Sequence, residues 1–299
     1  MSLILFGSNN PTGAAFLDLC NIYPIEIWGR RPSSDSNRVH VYCDLTEISC
    51  KSIKPIKGIL VSFAPIWLLA SFLKHYFSIK PEMLQDLQGI IACSSSSFMT
   101  KRFAFNHYDK HLSSRLGNAH EEIKNICSQL NVPYQILAPA MVYGRVNGYS
   151  DKNLSKLVKI MRILPFIFLP KTTGFRQPIH ATQLATIALR QANRMLSGHW
   201  PDDTDKIITV GGDSIISYQE MIVKIQEKLE QDDRAKKCRV TTIPDRIFFL
   251  FIIPLLPINP KLFEAMMRIC SNLSDFRKAH ELLDETSKSF PVLPLGTDY

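Results

Sequence analysis

The segment that most restricts what this chain can fold into is its start, Met1 to Gly13, reading MSLILFGSNNPTG. Leu3-Ile4-Leu5-Phe6 is a short continuous apolar run, the pattern of a strand covered on both faces of a parallel sheet. Gly7 ends it, a polar turn follows, and Gly13 opens Ala14-Ala15-Phe16-Leu17-Asp18-Leu19, which reads as a helix. Strand, glycine-edged turn and helix form the opening unit of a nucleotide-binding α/β domain. Glycines let the backbone approach a diphosphate closely, and a helix N-terminus offers unpaired N–H groups and a positive dipole end. A plain tight βα turn carries the same two glycines, so the rest of the chain decides.

The remaining pattern is one of alternation. Ile25-Glu26-Ile27-Trp28 reads as a second strand, ended by Gly29 and followed by Arg30 and Arg31. In a dinucleotide fold this strand end faces the adenosine ribose, where a carboxylate suits a 2′-hydroxyl and arginine suits a 2′-phosphate. The two arginines therefore favour NADP over NAD. Val39 to Cys43 is a third strand, followed by Asp44-Leu45, and Gly58 to Pro65 is a fourth, with Ala64 near its end. Trp67 to Phe77 and Ala119 to Leu130 read as helices, Gly89 to Cys93 and Tyr134 to Leu137 as further strands. Strands alternating with helices imply right-handed crossovers and a doubly wound, Rossmann-like parallel sheet. After Gly144 the alternation loosens and prolines become frequent (Pro165, Pro170, Pro178, Pro201), which predicts a smaller C-terminal lobe. Ser217-Tyr218-Gln219-Glu220 is a capping box opening a helix that runs to about Leu229.

Charge and cysteine usage narrow the class. The net charge of +8 suits anionic partners, but the basic residues are scattered, which excludes a nucleic-acid tract. Seven cysteines, an odd number without a CxxC pair, mostly lie in apolar segments and read as reduced thiols of a cytoplasmic protein. No metal-ligand spacing is present. The longest apolar run, Ile247 to Leu256, is broken by Pro254 and is too short to span a bilayer. Arg246 to Ile253 reads either as the stripe of a lobe helix or as a peripheral contact with a membrane's inner face, helped by Lys236, Lys237, Arg239 and Arg246.

Several stretches together resemble the extended short-chain dehydrogenase/reductase superfamily, in its NAD(P)-dependent sugar-nucleotide epimerase/dehydratase group. The G-x-x-G-x-x-G pattern reads Gly7-Ser8-Asn9-Asn10-Pro11-Thr12-Gly13, with Asn10 at the middle glycine. Asp44-Leu45 matches the pair that contacts adenine, and Ser94 to Ser97 matches the serine segment at the substrate. Leu137 to Gly144 resembles L-R-P-x-x-x-Y-G without its arginine, and Gly174 to His180 with Gln183-Leu184-Ala185 resembles G-x-R-x-x-x-H-V-x-D-L-A. Ile208 to Gly212, then Ser217 to Met221, match the next strand and helix start, so the likeness covers about residues 1 to 230.

The resemblance implies a core over residues 1–145 and a substrate lobe over 146–299, of which 176–215 returns to the sheet. It implies an NAD(P) site at Gly7, Asn9, Asn10, Gly13, Arg30, Arg31, Asp44, Leu45 and Ala64. The family's Y-x-x-x-K pair is missing, since Ser113 and Gly117 stand at those positions. Ser96 is then expected to polarise the sugar oxygen, Lys101 or Tyr108 to handle the proton, and Arg176 to hold the diphosphate. Ser95, Ser97, Tyr143 and Asn153 are expected around the sugar, with Gly144, Asp151 and Lys152 either edging it or forming a structural turn. The substrate implied is a nucleotide-linked or lipid-linked sugar of polysaccharide synthesis, and the family often forms homodimers. Two functions fit: an epimerase or reductase, favoured by Arg176 and the serines, or a catalytically silent NAD(P)-binding protein, favoured by Asn10 and the missing pair.

Overall fold

The computed structural model describes residues 2–31, 38–47, 54–200 and 205–295; Cys50 and Pro201 lie outside them. The core is built from β1 (Leu3–Phe6), α1 (Pro11–Leu19), β2 (Ile25–Gly29), β3 (Val39–Tyr42), β4 (Gly58–Ser62) and α2 (Ile66–Ile79). It continues with β5 (Leu87–Cys93), α3 (Ser97–Thr100), α4 (His107–Leu130) and β6 (Tyr134–Pro139). The apolar run of β1 follows from its place between β2 and β4. Leu3 and Leu5 enter the core layer of α1, whereas Ile4 and Phe6 enter that of α2 and α4. A strand with both faces covered has no polar position, because its side chains alternate between two dry layers.

Beyond β6 lie β7 (Val142–Tyr143), β8 (Arg145–Val146), β9 (Tyr149–Ser150), α5 (Leu154–Ile163), β10 (Phe166–Pro170), β11 (Phe175–Arg176) and β12 (Ile179–His180). Then come α6 (Ala181–Leu196), β13 (Ile207–Gly211), β14 (Ile216–Ser217), α7 (Tyr218–Lys228), β15 (Arg239–Ile243) and α8 (Asp245–Ile252). The last elements are α9 (Leu255–Ile258), α10 (Pro260–Cys270), β16 (Arg277–Lys278) and α11 (Ala279–Leu283). The main sheet has the order β16-β13-β6-β5-β4-β1-β2-β3 and every neighbouring pair is parallel. The chain thus returns to the sheet through α6 and β13, and a second time through β16, which lies beyond residues 176–215. A separate core gathers Leu154, Leu169, Ile222, Phe248 and Ile269 into the smaller C-terminal lobe.

The strand order reverses between β1 and β4. Connections leaving their carboxyl ends diverge there, and a crevice opens by topology alone. Helix α4 begins at His107, twelve residues before the Ala119 start read from the sequence. Its first turns are polar, which hides the amphipathic signal, and it starts where the Asn106 side chain accepts the Asp109 N–H at 2.9 Å.

Two glycines of equal rank in the sequence differ in the fold. A Cβ on Gly13 would lie 2.1 Å from the Gly7 carbonyl oxygen, whereas one on Gly117 meets nothing within 4 Å. Gly13→Ala is expected to destabilise by about 2–3 kcal/mol, because backbone must move. Gly117→Ala, in the interior of α4, is expected to stabilise by up to about 1 kcal/mol. Urea unfolding of the two variants checks both signs.

Candidate functional site: a crevice at the sheet's switch point

The glycine turn is held by one side chain. Asn10 caps α1, its Oδ1 accepting the Gly13 N–H at 2.9 Å. Its Nδ2 donates to the carbonyls of Gly7 at 2.7 Å and Phe63 at 3.2 Å, so one amide ties β1, α1 and the end of β4 together. Gly7 takes φ +79°, and a Cβ there would strike Phe63 and Ala64 backbone at 2.6 Å. Of the amides at the first three helical positions, Pro11 has no hydrogen and Gly13 donates to Asn10, which leaves Thr12.

In front of this turn is a cavity of about 580 Å³. Gly7, Asn9, Asn10 and Ala64 line its floor, and Arg30, Arg31, Asp44 and Leu45 its far end. Gly13 stands behind the wall, against Gly7. Asp44 Oδ1 accepts from the Thr46 N–H at 2.8 Å and hydroxyl at 2.7 Å, and Oδ2 lies 3.9 Å from Arg30 Nε. The bonds from Thr46, aided by Arg30, hold the Asp44 carboxyl below the usual carboxylate range. Lys152 also lines the cavity, although it comes from the loop entering α5. Asp151, itself buried, shapes that loop by accepting the N–H groups of Gly144, Asn153 and Leu154. Nothing in local spacing marks Lys152 for this place, because a chain segment more than a hundred residues after the turn delivers it. The β8–β9 hairpin reaches the glycine turn, with the Tyr149 hydroxyl donating to Asn9 Oδ1 at 3.1 Å.

The serine segment continues β5 past its carboxyl end. The N–H groups of Ser94 and Ser96 donate to the carbonyls of Leu137 and Pro139 on β6. Ser95 donates its hydroxyl to Ser97 Oγ at 3.1 Å and accepts the Ser97 N–H. Ser96 is buried at the start of α3. Ser113, Gly117 and His120 share one face of α4, since positions i, i+4 and i+7 align. Ser113 donates to the Phe98 carbonyl at 2.6 Å, and Gly117 borders open space. His120, buried under the edge of Phe98, has Nε2 hydrogen-bonded to Ser94 Oγ at 2.6 Å. This histidine escaped the sequence reading, because only the fold brings it beside the serine strand.

Other singled-out residues have structural partners. Lys101 donates to Asp109 at 2.8 Å, and Asn106 and Arg268 bind the same buried carboxylate. Burial raises the Asp109 pKa, but Lys101, Asn106 and Arg268 together hold it well below the usual carboxylate range. Tyr108 is 61% exposed on the outer side of α4, beside His107 and Lys261. Arg176 is buried and donates to the carbonyls of Phe175, Ser271 and Arg268, capping the end of α10, with its guanidinium 5.2 Å from the Tyr218 ring. The buried Tyr143 hydroxyl accepts the Val292 N–H at 2.8 Å. Asn153 donates to the Val142 carbonyl at 3.3 Å.

Burial depresses the pKa of His120 below its usual 6.5, and burial does the same to His180 against the opposing Pro294 carbonyl. As pH falls through 6.5 the unfolded chain takes up protons that these buried rings refuse. Stability is therefore fully present above that pH and declines below it until the folded rings titrate. The thermal midpoint is expected to fall between about pH 7.5 and about pH 5.5, and the slope to be shallower in His120→Gln. A second expectation concerns the lobe: Asp109→Ala leaves Lys101 and Arg268 without their shared partner and should cost about 3 kcal/mol in chemical denaturation.

No protein-family model and no curated protein matches this sequence. Solved structures do. MoeE5 in complex with UDP-glucose and NAD superposes with a TM-score of 0.62 at 13% identity, over 97% of this chain and 95% of that one. UDP-glucuronic acid 4-epimerase from Bacillus cereus in complex with NAD gives 0.61 at 14% identity, over 97% and 94%. The dTDP-glucose 4,6-dehydratase from Bacillus anthracis str. Ames in complex with NAD gives 0.52 at 14%, over 82% and 86%. At such identities the likeness is one of fold: this chain shares its Rossmann-like architecture with these solved structures.

Proposed function

We propose that the protein is an NAD(P)-dependent epimerase or reductase of a nucleotide-linked sugar. The observation that carries this reading is the single cavity uniting the glycine turn, Asp44 and the arginine pair at the switch point of the sheet. Its residues fit a dinucleotide. The volume suits a cofactor site, Gly7 and Gly13 shape the turn beneath it, and Gly29 opens on free space. Gly7, Asn9, Asn10 and Ala64 would border the diphosphate, with the Thr12 N–H as helix donor, while Asp44 and Leu45 would face the adenine. Arg30 and Arg31 suit a 2′-phosphate, hence NADP, and Lys152 adds a third cation where the helix end presents few donors. A dinucleotide bound there supplies hydride transfer to or from a sugar carbon.

The chain's own part is to place the sugar and move its proton. Ser96 would hydrogen-bond the reacting oxygen. Ser94 would accept the proton of the sugar hydroxyl while passing its own to Nε2 of the neutral His120 imidazole, and the reverse relay would return it, standing in for the missing tyrosine. Lys101, tied to Asp109, and Arg176, tied to α10, are weaker candidates than the sequence suggested. A sugar on a lipid diphosphate, as in polysaccharide assembly, is the second form of substrate, favoured by the exposed apolar face of α8. A catalytically silent NAD(P)-binding protein is the second function, favoured by Ser113 and by the open space at Gly117.

Calorimetry with NADPH and NADH tests the site. Arg30→Ala with Arg31→Ala is expected to weaken NADPH about tenfold and NADH far less. Incubation with NADPH and a 4-keto nucleotide sugar separates the two functions. Loss of absorbance of the reduced cofactor, slowed in His120→Gln with binding retained, supports the enzyme; binding without consumption supports the silent protein.

A further inference from the structure

Helix α8 reads DRIFFLFI and has two faces. Phe248 and Ile252 are buried in the core of the smaller lobe. Ile247, Leu250 and Phe251 point the other way, and the last two are 69% and 71% exposed. A peripheral helix of a water-soluble surface is polar on its outer face, and this one is not. The apolar surface continues through Ile253, Leu256 and Ile258 around α9, and through Phe166 and Phe168, which stack on the outer side of β10.

A further exposed apolar pair lies on the loop tied to α10. Phe103 and Phe105, between α3 and α4, are 82% and 85% exposed. Their loop is fixed to α10 by the Asn106 N–H donating to Glu264 at 2.9 Å, and Lys261 lies 6.0 Å from the Tyr108 ring. Ile247, Leu250, Phe251, Ile253, Leu256 and Ile258, on the adjoining turns of α8 and α9, by themselves reach the few hundred Å² that mark an interaction site.

Charge selects the occupant. In the two segments that form this face, 97–112 and 244–262, the carboxylates are Asp109 and Asp245. Asp109 is buried among Lys101, Asn106 and Arg268, and Asp245 accepts from the Thr172 N–H and hydroxyl. Arg102, Lys110, Arg246 and Lys261 are exposed on the same segments. Apolar side chains rimmed by Arg102, Lys110, Arg246 and Lys261, against the one solvent-facing carboxylate of Asp245, complement an anionic lipid surface. A second copy of this chain would set cations against cations. Among the described residues no helix is long and apolar enough to cross a membrane, so contact along this face would be interfacial.

We propose that this face docks on an anionic bilayer, with α8, α9 and the Phe103–Phe105 loop in the headgroup region. Since α3 joins that loop to Ser96, docking sets the serine crevice beside the lipid surface. The inference is independent of the reading of the dinucleotide cavity.

Flotation of the full chain with phosphatidylcholine vesicles, with and without about 30 mol% phosphatidylglycerol, tests it. Binding to the anionic vesicles is expected, with roughly tenfold weaker partition for Arg246→Glu or Lys261→Glu. Leu250→Glu with Phe251→Glu is expected to abolish binding; both side chains are exposed, and an unchanged thermal midpoint verifies the fold. No binding to anionic vesicles, equal binding to neutral ones, or undiminished binding of the double variant each overturns the proposal. Lipid-free dimers in light scattering that the same double variant dissolves also overturn it, in favour of a second copy.

Discussion

The contact on which this molecule depends is that of Gly13 against the carbonyl of Gly7, with no room for a Cβ between them. It seats the first turn of α1 at the end of β1 and so fixes where a helix N-terminus meets the crevice. Asn10 completes the joint by occupying three backbone groups at once. The same device consumes donors, because Pro11 lacks a hydrogen and the Gly13 N–H is already bonded. A helix end thus depleted attracts an anion less through its amides and leaves more to side-chain charge. Arg30, Arg31 and Lys152 line the cavity in front of that helix end.

A similar economy of charge joins the lobe to the core. Asp109 on α4 binds Lys101 after α3 and Arg268 on α10, while Glu264 on α10 accepts the Asn106 N–H. Buried carboxylates persist where such partners satisfy them, and breaking one side strands the others. This explains why two cations that suggest chemistry in the sequence, Lys101 and Arg176, have structural partners. Lys101 neutralises a buried acid, and Arg176 satisfies the carbonyls at the end of α10. The polar groups left beside the serine segment are subtler: Ser94 at the end of β5 and the buried imidazole of His120, one turn beyond Gly117.

Much of the fold was legible because its signals are local. The apolar run of β1, Gly7 and Gly13, the alternation through β6 and the Ser217 cap each follow from neighbouring residues. The start of α4 was not legible, since its first three turns are polar and held by Asn106 and by α10. Nor was the second return to the sheet through β16, two residues whose pairing depends on β13 being in place. Of the residues expected at a dinucleotide, Gly7, Asn9, Asn10, Arg30, Arg31, Asp44, Leu45 and Ala64 line one cavity. Lys152, read as an edge of the sugar site or part of a turn, lines the same cavity as the arginine pair, and the place of His120 came to view only in three dimensions.

The sequence by itself determined the layering, because periodicity of apolar residues decides which faces must be dry whatever the chain does elsewhere. Tertiary structure decided which charges are spent on folding and which line the crevice. It also decided that the outer stripe of α8 is exposed. Both follow from one cause: burial and partnership belong to the space around a side chain, and that space is assembled from segments far apart in the chain.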